Sequence, residues 1–132
     1  MTPARASPTT YNMFDAQMDA VYSAISALGF NDITLLVSET GWPSNGGSDE
    51  VGATLANAQI YHANLVQHVT SKAGTPLHPD KTPEIYLFAL FNENLKSGVT
   101  SERNFGLFKP DESMVFDFQF ISVPSSSSSP LS

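Results

Sequence analysis

One stretch near the beginning of the chain repeats apolar residues at the period of an α-helix. The repeat consists of Phe14, Met18, Val21, Tyr22, Ile25 and Leu28. Asp15 and Asp19 fall in its early turns, where the helix dipole favours negative charge. Gly29 follows the last apolar residue and suits the left-handed cap that ends many helices. The pattern therefore predicts a helix over about residues 14–28 with one apolar face.

Two short apolar runs, at residues 33–38 and 85–91, are rich in β-branched and aromatic residues. Such runs are typical of strands that are buried on both faces, as in a parallel sheet. A second helical pattern over about 51–72 lies between them, and a proline-rich connector follows it. Its apolar face carries Ala58, Tyr61, Leu65 and Val69. Because parallel strands need a crossover connection, the order helix, strand, helix, strand predicts a βαβ unit of an α/β fold.

The two ends of the chain and the region after the second strand lack these patterns. Residues 1–10 contain two prolines and are expected to form a loop or a frayed N-terminus. Residues 95–113 favour loop and turn, and residues 115–120 alternate apolar and polar positions, which indicates a weak strand or an extended strap. Residues 122–132 contain five consecutive serines between prolines and are expected to be a linker or a disordered tail. Residues 11–121 are therefore predicted to be one folded unit.

The composition excludes several classes of function. The chain has 132 residues, of which 13 are acidic and 6 are basic, and its basic residues are scattered. Nucleic-acid binding is not expected, because contact with phosphates requires a basic surface. No apolar run approaches the ~20 residues that span a bilayer, so no transmembrane segment is expected. The chain starts without the features of a signal peptide, so either the protein is cytosolic or its true start lies further upstream.

Metal and cofactor chemistry also lack a sequence signal. Cysteine is absent, which removes disulfides, thiol nucleophiles and thiolate ligands. His62 and His68 lie six residues apart, which is not the spacing that places two metal ligands on one helix face. The sequence has neither a glycine-rich phosphate loop nor a serine-hydrolase elbow. We therefore predict no metal site and no cofactor.

Two carboxylates follow the two predicted strands. Glu39 comes directly after the first strand, and Glu93 follows the second after one intervening residue. In parallel α/β folds ligands bind at the carboxyl ends of the strands, and neighbouring strands lie ~4.8 Å apart. Paired carboxylates are the groups that glycoside hydrolysis needs. The alternative is that each glutamate only caps or solvates the end of its strand.

Three further residues near these carboxylates each allow two interpretations. Trp42, in a Gly/Pro turn three residues after Glu39, is suited either to stack on a sugar ring or to plug the end of the sheet. Lys96, in the loop after the second strand, either holds a neighbouring carboxylate ionised or is a solvated surface lysine. Glu102 either adds a third carboxylate near the same loops or forms a surface pair with Arg103.

At these residues the sequence resembles a known family. Residues 37–44, Val-Ser-Glu-Thr-Gly-Trp-Pro-Ser, closely resemble the signature of plant endo-1,3-β-glucanases, glycoside hydrolase family 17. The likeness continues in the family's order at residues 11–22, 57–58, 74–76, 86–96 and 102–108. Because several motifs occur in series over roughly residues 11–120, the resemblance is specific.

The resemblance implies a (β/α)8 TIM barrel that cleaves the polysaccharide 1,3-β-glucan with retention of anomeric configuration. It implies that Glu39 is the nucleophile at the end of strand seven. The other residues that it implies in catalysis are charged residues lining the cleft around strand eight, Glu93, Lys96 and Glu102. Glu102 is also a candidate proton donor by this resemblance. The residues that would bind substrate from the cleft wall are Trp42, Phe91, Asn92 and Phe105. The full-length protein would act outside the cell or in the cell wall, in carbohydrate metabolism and plant defence.

The chain is short for a whole barrel. A (β/α)8 barrel takes ~250 residues, whereas 132 residues with two strong strands are expected to form an incomplete barrel. The resemblance assigns residues 11–121 to its C-terminal part, about strands seven and eight with their flanking helices. The N-terminal barrel half would be missing, together with an acid/base glutamate after strand four. We therefore expect the chain alone to be inactive, and the alternatives are a non-catalytic glucan-binding fragment or a truncated product without function.

Overall fold

The structure, a computed structural model, describes residues 12–118. Its helices and strands are α1 (Met13–Ala27), β1 (Leu36–Thr40), α2 (Leu55–Thr70) and β2 (Glu84–Leu87), followed by a 3₁₀ helix at Thr100–Arg103. This order confirms the predicted succession of helix, strand, helix and strand. The predicted frayed N-terminus at 1–10 and the predicted tail at 122–132 lie outside the described residues.

The first helix matches its predicted boundaries because both of its ends are capped. The side chain of Asn12 accepts a hydrogen bond from the backbone N–H of Asp15 at 2.8 Å, which is the usual N-cap arrangement. At the other end the chain leaves the helix through Gly29, whose φ is +90°, a left-handed conformation that glycine adopts without steric cost. The predicted role of Gly29 is therefore confirmed, whereas the N-cap Asn12 was not predicted.

The acidic residues of α1 do more than complement the helix dipole. Asp15 is buried, and its carboxylate lies 2.9 Å from Nε2 of His68 on α2. Asp19 is also buried and accepts a hydrogen bond from the backbone N–H of Leu77 at 3.3 Å. These contacts connect α1 to the second helix and to the connector that follows it.

The second helix begins later than the predicted residue 51. Tight turns occupy the preceding residues, with backbone hydrogen bonds from Ala53 to Glu50 and from Thr54 to Gly52. Thr54 is the N-cap, and its hydroxyl accepts from the backbone N–H of Asn57 at 3.2 Å. The apolar pattern therefore located the helix, while its first residue was decided by this turn.

The two strands are parallel, which confirms the predicted βαβ unit. Leu36 pairs with Glu84 and Thr40 pairs with Leu87, with an irregularity in the register between them. The predicted start of β1 at residue 33 was wrong, since the strand begins three residues later and includes Glu39.

The predicted end of the second strand at residue 91 was also wrong. Phe88 still donates a backbone hydrogen bond to Thr40 at the end of β1. The Phe88–Ala89 peptide bond is cis, and from Ala89 onward the chain pairs with residues 105–108. Ala89 donates to the carbonyl of Phe105 at 3.0 Å, and Phe108 donates to the carbonyl of Leu90 at 2.9 Å. A change of pairing partner therefore ends β2 at Leu87.

The prediction that both strands are buried on both faces was wrong for the described chain. Leu36 is 51% exposed and Tyr86 is 54% exposed. The sheet of residues 12–118 has only two strands. Such a narrow layer leaves part of its apolar side chains exposed to solvent.

The main apolar cluster lies between α2 and the C-terminal part of the described chain. Its buried members are Ala58, Leu107 and Phe116, and Leu87, Phe108, Val115 and Phe118 pack against them. The predicted strand at 115–120 is not formed over 115–118, and residues 119–120 lie outside the described range. The segment, called here the C-terminal strap, instead bends at residues 115–116 as it packs on the cluster. Val115 donates to the carbonyl of Leu107 at 2.9 Å.

Candidate active site

The loops that follow β1 and β2 meet at the carboxyl edge of the sheet. The carbonyl of Thr40 accepts a hydrogen bond from the backbone N–H of Phe88 at 2.8 Å. The next residue, Gly41, is so close to Phe88 that a Cβ there would overlap the carbonyl oxygen of Phe88. Glycine is therefore the residue that lets the two strand ends approach this closely.

Three of the four predicted charged residues form one cluster in the loop after β2. The ammonium of Lys96 lies 3.1 Å from Oε2 of Glu93 and 3.0 Å from Oε2 of Glu102. It also stands over the ring of Phe88, 5.2 Å from the ring centroid. The hydrogen bond to Glu102, followed by that to Glu93, raises the pKa of Lys96 above its ordinary value. Lys96 is thus the shared cation of two partly exposed carboxylates.

Backbone contacts hold this loop in shape. The guanidinium of Arg103 donates to the carbonyls of Lys96 at 3.3 Å and Gly98 at 2.9 Å. The backbone N–H of Lys96 donates to the carbonyl of Glu93 at 2.9 Å, and the 3₁₀ helix carries Glu102 back towards the ammonium. The sequence allowed Arg103 as a surface partner of Glu102. In the structure Arg103 instead forms hydrogen bonds to backbone carbonyls within the loop.

Glu39 lies in β1 one residue before Thr40 and is exposed. Within residues 12–118, no hydrogen bond or ion pair engages its carboxylate. Glu39 does not join the Lys96 cluster. It stands at the same carboxyl edge of the sheet, because its neighbour Thr40 is bonded to Phe88, where the second loop starts.

Trp42 is packed and hydrogen-bonded at the start of the loop after β1. Its indole Nε1 donates to the carbonyl of Gly52 at 2.8 Å, and its ring lies 5.5 Å from that of Tyr61, tilted by 37°. The indole borders a groove of about 460 Å³ between α1 and α2. None of the four predicted charged residues borders this groove, so Trp42 lies apart from the Lys96 cluster.

The other predicted cleft residues are arranged around residues 105–108. The side-chain carbonyl of Asn92 accepts a hydrogen bond from the backbone N–H of Gly106 at 2.8 Å. Phe105 packs on Phe88 with ring centroids 5.8 Å apart. Phe91 packs on Phe108 at 6.0 Å and is 42% exposed. Asn92 and Phe105 therefore hold the conformation of the loop. The ring of Phe91 is more exposed than that of Phe105.

Sequence reasoning missed two contacts between the loops. Ser44 is buried and donates from both its backbone N–H, at 2.8 Å, and its hydroxyl, at 3.1 Å, to the carbonyl of Asn104. Glu50 accepts hydrogen bonds from Gly47 and from Ser101. The only available signal for Glu50 was an acidic residue soon after the Gly46–Gly47 turn, which does not indicate a partner 51 residues away.

The described residues give no arrangement for a metal ion or for a membrane-spanning helix. Over residues 12–118, no group of three or more His, Asp or Glu side chains is placed to hold a metal. Neither helix in this range has the length and apolar character needed to cross a bilayer.

Comparison with known proteins gives consistent relatives. Residues 2–120 match the family described as Glycosyl hydrolases family 17. A glucan endo-1,3-beta-D-glucosidase of Olea europaea is 57% identical over 106 residues, which are 80% of this chain and 23% of that protein. Glucan endo-1,3-beta-glucosidase 7 of Arabidopsis thaliana is 53% identical over 119 residues, which are 90% of this chain and 24% of that protein. The chain spans about a quarter of the length of these relatives.

Solved structures agree with the sequence comparison. CJP38, a beta-1,3-glucanase and allergen of Cryptomeria japonica pollen, superposes with a TM-score of 0.77 at 50% identity. The match covers 83% of this chain and 33% of that one. One of two plant beta-glucan endohydrolases with distinct substrate specificities gives a TM-score of 0.73 at 44% identity, over 88% of this chain and 36% of the other. The described α/β unit with its open sheet is thus a partial version of these folds, and the chain belongs to glycosyl hydrolase family 17.

Proposed function

We propose that this chain is the part of a retaining 1,3-β-glucan hydrolase that carries the catalytic nucleophile, Glu39. The observation that carries the proposal is the exposed carboxylate of Glu39, which has no ionic or hydrogen-bonding partner among residues 12–118. A nucleophile needs a free carboxylate that faces the sugar. The glucan specificity is inferred from the names of the relatives, which are glucan endo-1,3-β-glucosidases.

In this proposal the reaction is a double displacement. Glu39 attacks the anomeric carbon and forms a glycosyl-enzyme intermediate, while an acid protonates the departing oxygen and later activates water. Retention requires these two carboxyl groups to lie ~5–5.5 Å apart. Lys96, with Glu93 and Glu102, forms a polar cluster in the loop after β2, at the same carboxyl edge of the sheet as Glu39, and is suited to hydrogen-bond sugar hydroxyls.

We infer that β1 and β2 correspond to about strands seven and eight of a (β/α)8 barrel. The parallel βαβ unit and the exposed apolar side chains of the sheet support this assignment. The acid/base glutamate expected after strand four then has no counterpart in this chain. Since general acid catalysis contributes ~10²–10⁴ in rate, the 132-residue chain alone would be inactive on glucan.

An activated substrate allows the nucleophile to be tested without the missing acid. A 2,4-dinitrophenyl 2-deoxy-2-fluoro-β-laminaribioside has a leaving group that departs without protonation, and its fluorine slows hydrolysis of the covalent intermediate. We expect mass spectrometry to locate the resulting glycosyl ester on Glu39, and Glu39→Gln to remain unlabelled. A glycosyl ester on Glu93 or Glu102 would contradict the assignment of the nucleophile.

Native glucan tests the expected inactivity. The purified chain and its Glu39→Gln variant are incubated with laminarin, and the release of reducing ends is compared. Equal background in both samples is expected. Release that occurs with the unaltered chain and is lost in Glu39→Gln would show that this chain contains its own acid.

Non-catalytic glucan binding is the second candidate, and the exposed aromatic surface favours it. Phe91 is 42% exposed and Trp42 is 38% exposed, and flat aromatic rings suit the C–H faces of sugars. Binding of laminari-oligosaccharides without formation of a Glu39 ester would favour this candidate. Location outside the cell or in the cell wall stays a prediction for either function.

A further inference from the structure

The carboxylate of Glu50 joins two loops that are distant in the sequence. One of its oxygens, Oε2, accepts hydrogen bonds from the backbone N–H of Gly47 at 2.7 Å and from that of Ser101 at 3.2 Å. Its other oxygen contacts the hydroxyl of Ser101. The side chain is partly buried, and two of the three donors are backbone N–H groups. One carboxylate thereby closes its own turn and reaches the 3₁₀ helix.

The position of Ser101 makes this contact relevant to the site. Ser101 directly precedes Glu102, whose carboxylate lies 3.0 Å from the ammonium of Lys96. Glu50 belongs to the loop that follows Glu39. At the far end of the same 3₁₀ helix, Ser44 from that loop donates twice to the carbonyl of Asn104. The short helix that carries Glu102 is therefore fastened at both ends to the loop after β1.

We propose that Glu50 is a positioning residue, which fixes the helix that carries Glu102 against the loop that follows Glu39. The inference rests on the proposed function, because it concerns the arrangement of that function's carboxylates. Glu50 touches neither Lys96 nor a sugar in this scheme. It acts through Ser101, and its loss would allow Glu102 to move away from Lys96.

The charge of Glu50 suits this role. The backbone N–H of Gly47, followed by the hydroxyl of Ser101, lowers the pKa of Glu50 below its ordinary value, and Arg103 contributes through its positive charge. The Glu50 side chain is therefore an ionised carboxylate at neutral pH and accepts hydrogen bonds through both oxygens. Charge-assisted hydrogen bonds to backbone N–H groups are stronger than neutral ones, so a single carboxylate can hold a short loop helix.

The test measures the titration of Lys96 in the 132-residue chain. The ¹³Cε chemical shift of Lys96 is followed against pH in the unaltered chain and in Glu50→Ala. Because Glu102 is the largest cause of the raised pKa of Lys96, Glu50→Ala is expected to shift that pKa downward. In Glu50→Gln, which keeps one acceptor oxygen, a smaller downward shift is expected.

Asp111→Ala is the matched control. The Asp111 carboxylate accepts from the backbone N–H of Ser113 at 3.1 Å and from its hydroxyl at 2.6 Å, so it closes a turn in the same way as Glu50. It does not contact the Lys96 cluster. The titration of Lys96 is expected to be the same in Asp111→Ala and in the unaltered chain.

The outcomes separate this inference from the proposed function. An unchanged Lys96 titration in a folded Glu50→Ala variant overturns the positioning role. If Glu50→Ala fails to fold, Glu50→Gln takes its place, because a downward shift of the Lys96 pKa is expected there too, and an unchanged Lys96 titration in that variant overturns the role. Neither measurement requires a sugar, so failure to label Glu39 with the fluorinated substrate would overturn the proposed function and leave this result standing.

Discussion

The ammonium of Lys96 lies 3.0 Å from Oε2 of Glu102, although five residues of loop and 3₁₀ helix lie between them along the chain. Lys96 also contacts Glu93 at 3.1 Å. The contact to Glu93 is local, whereas the contact to Glu102 exists only because the loop folds back on itself. The electrostatics of the site therefore report on the conformation of this loop.

The first prediction is that the two carboxylates affect Lys96 unequally. Glu102 is the larger and Glu93 the smaller cause of its raised pKa. Glu102→Gln should therefore lower the pKa of Lys96 more than Glu93→Gln does, as measured from the ¹³Cε shift of Lys96 against pH. A larger effect of Glu93→Gln would mean that the loop does not bring Glu102 back to the ammonium.

The second prediction concerns stability at alkaline pH. The folded-state pKa of Lys96 is raised above the ordinary lysine value of 10.5. Its contribution to the free energy of unfolding is thus complete below pH 10.5 and is lost as the pH rises through the raised pKa. Urea unfolding is measured below and above pH 10.5. The loss of stability with rising pH should be smaller in Lys96→Met than in the unaltered chain.

The titration of Tyr86 must not contribute to that comparison. Its hydrogen bond to Glu84 raises the pKa of Tyr86 above its ordinary value, so it titrates in the same alkaline range with the same sign. The Lys96→Met comparison is therefore made in a Tyr86→Phe background. An equal alkaline slope with and without Lys96 would contradict the prediction.

The elements of this fold could be predicted where one local pattern decides the structure. The apolar period of α1, with Gly29 after it, located that helix almost to the residue. The strand ends were missed because their limits depend on pairing partners. Leu90 and Phe91 are as apolar as the residues of β2, yet the chain there pairs with residues 105–108, and composition does not encode that choice.

The sequence predicted which residues belong to the site better than it predicted which residues contact one another. The spacing of Glu93 and Lys96 suggested a charge partnership, and the structure gives the pair a distance of 3.1 Å. The partner of Glu50 could not be read from the sequence, because Ser101 lies in another loop and a serine carries no charge signal. Asp15 likewise read as a helix-dipole residue, while its contact with His68 depends on how two helices pack.

The third prediction concerns His62, which is 1% exposed and packs 5.3 Å from the ring of Phe116. Its burial lowers its pKa below the ordinary value of 6.5. As the pH falls through 6.5, the unfolded chain takes up a proton at this residue while the folded chain resists it, so stability falls. His62→Leu, of similar volume, should show a shallower acid-side loss in urea unfolding, and an unchanged slope would contradict the burial of the neutral ring.

The fourth prediction concerns the close approach of the two strand ends. A Cβ at Gly41 would overlap the carbonyl of Phe88, so Gly41→Ala must push the two loops apart. We expect a loss of about 1–3 kcal/mol in the free energy of unfolding, as for other overpacked sites, and a changed Lys96 titration. Gly52→Ala is the control, because a Cβ there would meet only the ring of Trp42 at an ordinary contact distance of 3.5 Å.

The fifth prediction tests whether the C-terminal strap and α2 share one core. Leu107 is 3% exposed and packs with Ala58 and Phe116, so Leu107→Ala should cost about 2–5 kcal/mol of unfolding free energy. Leu95 is 94% exposed, and Leu95→Ala should change stability by less than about 0.5 kcal/mol. Urea unfolding of both variants measures the contrast. Equal effects would mean that the cluster of Ala58, Leu107 and Phe116 does not form the core of the folded chain in solution.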